Sequence, residues 1–348
     1  MSRGRTALIF GIGGQDGSWL ADLLVRRGYA VHGTSRDREA SSFANLRRLG
    51  LFGRVPLHSA GLNDFRSVAQ VIKEVRPTEI YNLAGQSSVG LSFDQPVETL
   101  DSIVHGTVNI LEAIRFLKLD TRFYNASSSE CFGNTEHGPA GETHSFHPRS
   151  PYGVGKAAAY WAVANYREAY GLFACSGILF NHESPLRPAR YVTQKIVRGA
   201  ADIAEGKADR LCLGDLSVAR DWGWAPEYVD AMARMLAHDQ PEDFVIATGR
   251  LHTLEEFVRL VFDCFGLDWR RYVEIDPGLR RPADITHSVG DPGKANRLLG
   301  WSAETTMPGV VAKLVEAERI RRRDGSPAGN PAGSPAENLM SIPLAVPA

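Results

Sequence analysis

At 348 residues and 43% hydrophobic content, the chain carries enough apolar side chains for one large domain or two smaller ones. Its 39 Lys and Arg against 40 Asp and Glu leave a net charge of −1, which excludes a global basic field for nucleic acid or an anionic membrane, so any anionic ligand must be held locally. Cys131, Cys175, Cys212 and Cys264 are scattered without a CxxC pair, no secretory signal precedes them, and no apolar stretch approaches the roughly 20 residues of a membrane span, so no disulfide framework, metal site or membrane segment is expected and the cytoplasm is the expected compartment.

Short runs rich in Val, Ile and Leu alternate with segments of helical period, the pattern of parallel βαβ units. A first strand is expected over residues 6–11. It leads into Gly11, Gly14 and Gly17, in GxxGxxG spacing, and an amphipathic helix over residues 18–27. Glycines there let the backbone turn sharply and approach a pyrophosphate, whose charge meets free N–H groups at the helix N-terminus. A second strand, residues 30–34, ends in Thr34-Ser35-Arg36-Asp37-Arg38, where a dinucleotide site contacts the adenosine ribose. Arg36 and Arg38 supply planar forks for a 2′-phosphate, favouring NADP, while Asp37 keeps NAD open.

Further strands are expected over residues 79–83, 122–126 and 175–180, with a helix over 98–116 between them, giving five parallel strands. The fourth of these runs straight into Ser127, Ser128, Ser129 and Glu130, three hydroxyls and a carboxylate in succession. Next, Tyr152 and Lys156 stand one helical turn apart at the start of KAAAYWAVANYREAYG and so share a face. A nearby ammonium lowers a tyrosine pKa, which makes Tyr152 a base towards a sugar hydroxyl. After Asn181 the alternation weakens around Pro185 and Pro188, and helices over 253–265 and 292–299 indicate a smaller cap. The fold class is therefore α/β: a Rossmann-like doubly wound parallel sheet over residues 1–180, with part of about 226–250 returning to it. Residues 181–225 and 251–323 form a smaller α/β substrate-binding cap. From 324 to 348 the Pro/Gly/Ala/Ser-rich tail has too few bulky residues to offset the entropy of ordering.

A Ser-rich strand end followed by YxxxK, behind a dinucleotide fingerprint, resembles the extended short-chain dehydrogenase/reductases. Within that branch the phrases GIGGQDGSWLADLL, YNLAGQSSVGLSFDQPVET, RFYNASSSECFG, HPRSPYGVGKAAAYWAVANYREAYGL, GILFNHESPLR, RDWGWAPEYV and GDPGKANRLLGW resemble the GDP-mannose 4,6-dehydratase family over residues 6–318. The resemblance implies catalysis by Ser128, Glu130, Tyr152 and Lys156. Ser128 would hold the hydroxyl being oxidised, Tyr152 would take its proton, and Glu130 would remove the C5 proton and help the C6 hydroxyl leave as water. It implies cofactor contacts at Gly11, Gly14, Gln15, Asp16, Gly17, Arg36, Leu62, Leu83, Ala84, Gln86, Tyr152, Lys156, His182 and Arg187. Substrate contacts follow at Ser87, Ser88, Asn181, Glu183, Lys195, Arg220 and Arg281, around a nucleotide-diphosphate sugar.

The Ser41-Ser42-Phe43 loop with Arg47 and Arg48 matches the region where the family's subunits meet, which implies a homodimer or homotetramer. Several positions depart from the family pattern: Ser128 for Thr, Gly61 for an acidic residue, Gly85 for Ala, Pro188 for Gly, Gln194 for Arg, and Trp224 for a smaller or polar residue. These departures are expected to cluster around cofactor and nucleotide, leaving base and sugar, hexose or heptose, open. A nucleotide-sugar 4-epimerase on the same fold is the alternative, since it needs only the hydroxyl and the Tyr/Lys pair. A non-catalytic NADP-sensing scaffold is the third reading, opposed by the joint presence of Ser128, Glu130, Tyr152 and Lys156.

Overall fold

A computed structural model describes residues 4–279 and 281–324, so the expected tail beyond Asp324 lies outside the described residues. Seven parallel strands form one sheet, in the spatial order Phe244–Ile246, Ala174–Leu179, Arg122–Ser128, Glu79–Asn82, Thr6–Phe10, Ala30–Ser35, Leu57–Ser59. Numbered along the chain the order is 3-2-1-4-5-6-7, the doubly wound arrangement that leaves a crevice where the winding reverses, between the first and fourth strands. The five expected strands are present, and the sheet is extended by Leu57–Ser59 and Phe244–Ile246, each too short for a period to register.

Alternation along the strands feeds two faces. Ala7, Ile9, Tyr81 and Tyr124 join Trp19, Leu20, Tyr228 and Met232 on one side, while Leu8, Phe10, Ile80 and Phe123 join Val68, Ile72, Ile110 and Ile114 on the other. Both faces are covered, so a strand such as Ala174–Leu179 is buried along its whole length, Ser176 included. The helix expected over 98–116 is assembled from Pro96–Leu100, a π-helical turn Asp101–His105, and Gly106–Phe116. The widened turn brings Ser102 Oγ to accept from the Gln86 backbone N–H at 3.2 Å, beside the crevice.

A separate hydrophobic core gathers Ile196, Val197, Trp222, Trp224, Phe257, Val261, Val311 and Leu314 from the helices Val192–Ala204, Leu254–Cys264 and Met307–Arg323 and the strand Trp222–Trp224. Thr253 and Glu256 close the second of these helices with reciprocal side-chain-to-backbone bonds of 3.1 and 2.9 Å, an arrangement worth about 1 kcal/mol. Trp224 is 3% exposed and packs in this core beneath Lys313, where it fills apolar volume. No helix among the described residues is long and apolar enough to cross a membrane.

Candidate active site

The crevice is floored by the glycine turn. Gly11 sits at φ +83°, and a Cβ there would lie 2.9 Å from the backbone of Leu83 and Ala84. At Gly17 an added Cβ would meet the Gly11 carbonyl oxygen at 2.3 Å, so the first turn of helix Gln15–Arg26 is pressed onto the strand end with no room for side chains. Gly14 caps that helix without a side chain, leaving the first-turn N–H groups to a ligand. These are the features a pyrophosphate needs.

Gln15 and Asp16 are committed within the protein. Asp16 accepts from His182 Nε2 at 3.0 Å and from Gln15 Nε2 at 3.0 Å. Burial works to raise the Asp16 carboxyl, but His182 and Arg187 overcome it and hold it at about 2. Gln15 in turn donates to the His182 carbonyl at 3.2 Å and accepts from Ser184 Oγ at 2.9 Å. His182, stacked on Tyr228 at 4.6 Å between ring centroids, therefore ties the glycine turn to the strand Asn181–Glu183.

At the second strand end, Arg36 is 87% exposed and meets Glu98 at 3.4 Å. Arg38 pairs with Glu39 at 2.9 Å, and Asp37 accepts from the backbone N–H of Glu39 at 2.9 Å, closing its own turn. Leu62 packs against Gly106, where an added Cβ would be 3.0 Å away. Gln86 donates to Thr99 Oγ1 at 3.1 Å and to the Ser88 carbonyl at 2.8 Å, and Gly85 takes φ +124°, which explains a glycine at that position.

Strand Arg122–Ser128 delivers Ser128 to the crevice, and the chain turns immediately through Ser129–Cys131, so that Ser128 Oγ accepts from the Glu130 N–H at 3.3 Å. Helix Pro151–Tyr170 starts opposite, capped by Ser150 Oγ, which accepts from Gly153 N at 3.0 Å. Tyr152 faces Ser128, whose hydroxyl acts to lower the phenol's pKa. Lys156 Nζ lies 5.7 Å from the Tyr152 ring centroid and donates to the Ala126 carbonyl at 2.7 Å.

Burial dominates the electrostatics here. It pushes the Tyr152 phenol well up, with the Ser128 hydroxyl pulling back. It pushes the Lys156 ammonium down to about 8. The lowered tyrosine pKa expected from Lys156 is thus reversed, because desolvation of a phenolate outweighs an ammonium already engaged by a carbonyl. Burial also raises the Glu130 carboxyl, Arg220 and Arg281 oppose that, and Asp284 adds to it. Beneath them, burial lifts the Cys131 thiol to about 11, and its sulfur sits 3.6 Å from Ser127 Oγ.

Arg220, 8% exposed, and Arg281 converge on Asp284 Oδ1 at 3.2 and 3.4 Å, facing Glu130 across the cleft. Asp284 was missed by sequence reasoning, although it stands three residues after Arg281. Tyr191 was missed too. Its hydroxyl is 2.7 Å from Ser87 Oγ, and the guanidinium carbons of Arg187 and Arg190 lie 4.8 and 5.3 Å from its ring centroid. Ser88 caps helix Val89–Asp94 through the Leu91 N–H at 3.3 Å. Asn181 pairs in register with Trp222. Lys195 donates to the Cys212 carbonyl at 2.7 Å, and Glu183, 2% exposed, is taken up by Arg187 at 2.8 Å and Thr193 at 2.6 Å. Gln194 is likewise buried, donating to the Ser184 carbonyl at 3.1 Å.

A doubly wound sheet with a glycine turn at its crevice and Ser, Tyr and Lys gathered beside it defines an extended short-chain dehydrogenase/reductase. Residues 8–314 match the family described as GDP-mannose 4,6 dehydratase. GDP-mannose 4,6 dehydratase 2 of Arabidopsis thaliana is 45% identical over 90% of this chain and 87% of its own, and the Vibrio cholerae GDP-mannose 4,6-dehydratase is 43% identical over 89% and 93%. The chain belongs to the GDP-mannose 4,6-dehydratase family. Among solved structures, Thermus thermophilus UDP-glucose 4-epimerase in complex with NAD superposes with a TM-score of 0.79 at 26% identity, over 91% of this chain and 99% of that one.

Proposed function

We propose that this protein is a nucleotide-sugar 4,6-dehydratase that converts GDP-mannose to GDP-4-keto-6-deoxymannose with bound NADP. A nicotinamide ring in the crevice would take hydride from C4 of the sugar and return it to C6, and its positive charge when oxidised would favour the Tyr152 phenolate. Ser128 holds the C4 hydroxyl and Tyr152 accepts its proton. Lys156, anchored on Ala126, fixes the helix face that carries Tyr152. The 4-ketone acidifies the proton at C5, which passes to Glu130, while the C6 hydroxyl takes up a proton and leaves as water. Hydride that left C4 would return to C6 while C5 regains a proton, the one Tyr152 took from the C4 hydroxyl, and the proton on Glu130 leaves with the water, so the products are the keto-deoxy sugar and one water, with no net oxidation and both residues restored.

The observation that carries this reading is Glu130. It sits two residues beyond Ser128 in the same cleft, with its carboxyl raised by burial against the pull of Arg220 and Arg281. A 4-epimerase has no use for that carboxyl. Arg220 and Arg281 supply forks for the diphosphate, and Tyr191, which closes on Ser87, completes the opposite wall. We assign NADP over NAD because Asp37 is spent on its own turn while arginines surround the second strand end, and an assembly of two or four subunits through the loop at Ser41–Phe43 belongs to the same reading. Incubation of the purified protein with GDP-mannose, followed by mass spectrometry, tests it. Product lighter by one water is expected, and a product of unchanged mass would replace the dehydratase with the epimerase.

A further inference from the structure

Ser87 and Tyr191 meet across the crevice. Ser87 follows the strand Glu79–Asn82, which lies between Thr6–Phe10, the strand of the glycine turn, and Arg122–Ser128, so it stands beside the point where the winding of the sheet reverses. Tyr191 comes from the other lobe, at the residue that precedes the helix Val192–Ala204. Their hydroxyl oxygens are 2.7 Å apart. Tyr191 is also among the groups that raise the Tyr152 phenol, which puts it within electrostatic reach of the reacting end of the cleft.

The helix has no use for the Tyr191 hydroxyl, since that side chain makes no capping bond. Its main chain is held independently: the N–H donates to the Pro188 carbonyl at 3.1 Å, and the carbonyl accepts from the Lys195 N–H at 2.9 Å. The ring is steadied by Arg187, whose guanidinium pairs with Glu183 at 2.8 Å, and Glu183 in turn accepts from Thr193 at 2.6 Å. The phenol oxygen is thus delivered to one place by a stiff base, which lowers the cost of holding a ligand there.

As a strap between the lobes the contact would be weak. Ser87 is exposed, and a neutral hydroxyl pair that water can replace contributes little. The lobes are joined elsewhere, by His182 and Asp16 at 3.0 Å and by Ser184 and Gln15 at 2.9 Å. Chemically the pair is matched to another hydroxyl. Each member has one proton and lone pairs to spare, and the bond between them uses one proton, leaving a donor on one oxygen and open acceptors on both. A ligand hydroxyl can accept from one and donate to the other, closing a ring of three. A phosphate oxygen could use only the donor.

We propose that Tyr191 is a specificity-determining residue whose hydroxyl, together with Ser87, holds a hydroxyl of the substrate's sugar other than the one that is oxidised. The inference deepens the proposed function and rests on it for the presence of a sugar in the cleft.

Calorimetry on the full chain with reduced dinucleotide bound tests this, because a reduced nicotinamide cannot take hydride and the sugar binds without reacting. The probes are GDP-mannose against GDP, and UDP-glucose against UDP, so that each pair isolates the sugar. Tyr191→Phe removes one oxygen and keeps the ring. It should weaken GDP-mannose by about two- to tenfold, the loss of one neutral hydrogen bond, and leave GDP unchanged. Ser87→Ala should show the same selective loss, and the double variant should lose less than the two single losses multiplied, because the hydroxyls act as a pair. In turnover the loss of Tyr191 should appear in KM with kcat held. Equal weakening of a sugar-bearing ligand and its bare diphosphate would reduce the contact to a strap between the lobes, and unchanged affinity for every probe would leave it no part in binding; either result overturns the proposal. Selective loss on the UDP pair alone, from a protein that does not turn over GDP-mannose, would sink the proposed reaction and leave this assignment standing.

Discussion

The two walls of the cleft are built on different logic. On the sheet side, Gly11, Gly14 and Gly17, then Ser128 and Glu130, then Tyr152 and Lys156, are placed by strand ends and single helical turns, so their relations are local in the chain. On the facing side, Arg220 and Arg281 reach Asp284, Glu183 reaches Arg187 and Thr193, and Lys195 reaches a carbonyl on Leu211–Leu213. There the position of a side chain is set by ion pairs and hydrogen bonds between separate elements. Backbone geometry makes the first wall stiff, and pairing of charges makes the second wall responsive to what enters. Substitutions on the two walls should therefore fail in different ways.

The largest effects belong to the sheet side. Glu130→Gln keeps shape and hydrogen bonding but cannot take the C5 proton, so turnover should fall about 10²- to 10⁴-fold. Oxidation at C4 should persist, and absorbance near 340 nm from reduced cofactor (roughly the nicotinamide band) should build up on mixing with substrate. Tyr152→Phe should remove both turnover and that absorbance. Turnover of Glu130→Gln at the wild-type rate without loss of water would end the dehydratase reading.

Next comes Gly17→Ala. The added methyl would fall 2.3 Å from the Gly11 carbonyl, which cannot retreat without breaking the turn. Overpacking of this kind costs about 1–3 kcal/mol, read as a lower midpoint in urea, and dinucleotide affinity should fall with it. Gly28→Ala, where φ is +80° but no atom lies within 4 Å, is the control. It should lose stability through backbone strain alone and leave dinucleotide affinity intact.

How much of this was legible before folding follows the same division. Gly11, Gly14 and Gly17, or Tyr152 and Lys156, could be read from spacing because a turn or a helix fixes such relations within a few residues. Five of the sheet strands could be read because burial on both faces makes them largely apolar, while Leu57–Ser59 and Phe244–Ile246 carry only three residues each. The sign of the Tyr152 shift could not, since it depends on how completely the phenol is desolvated and where the Lys156 ammonium is spent. Nor could the destinations of Trp224 and Gln194. Both side chains are interior, one in the second core and one bonded to the Ser184 carbonyl, partners set by elements distant in the chain.

A smaller effect is the pH dependence of kcat/KM, which reports the free enzyme. The Lys156 ammonium, pushed down to about 8, loses its proton as pH rises through that value, and with it the charge that strengthens its bond to the Ala126 carbonyl and favours a phenolate at Tyr152. An alkaline limb near 8 is expected, and Lys156→Arg should move it upward. The stability contribution has the opposite slope. The folded state binds fewer protons than the unfolded one between about 8 and the ordinary lysine value of 10.5, so urea stability should rise across that window even as activity falls. Activity and stability that fall together there would remove Lys156 from this role.

The smallest effect crosses from one wall to the other. Asp284 raises the Glu130 carboxyl directly by like charge, and it also draws on Arg220 and Arg281, the two cations that lower it. Asp284→Asn removes the negative charge and releases both guanidinium groups, so the two consequences have the same sign and the Glu130 pKa should fall. The acid limb of kcat/KM should then move to lower pH by less than about one unit, since Asp284 is the smallest of the influences on Glu130 and its charge is already shared with two guanidinium groups. Turnover at the optimum should change only a few-fold, because no reacting atom touches Asp284. A merely structural Asp284 would lower activity at every pH and leave the limb in place, and that outcome would mean the paired charges of the facing wall do not tune the carboxyl on the sheet side.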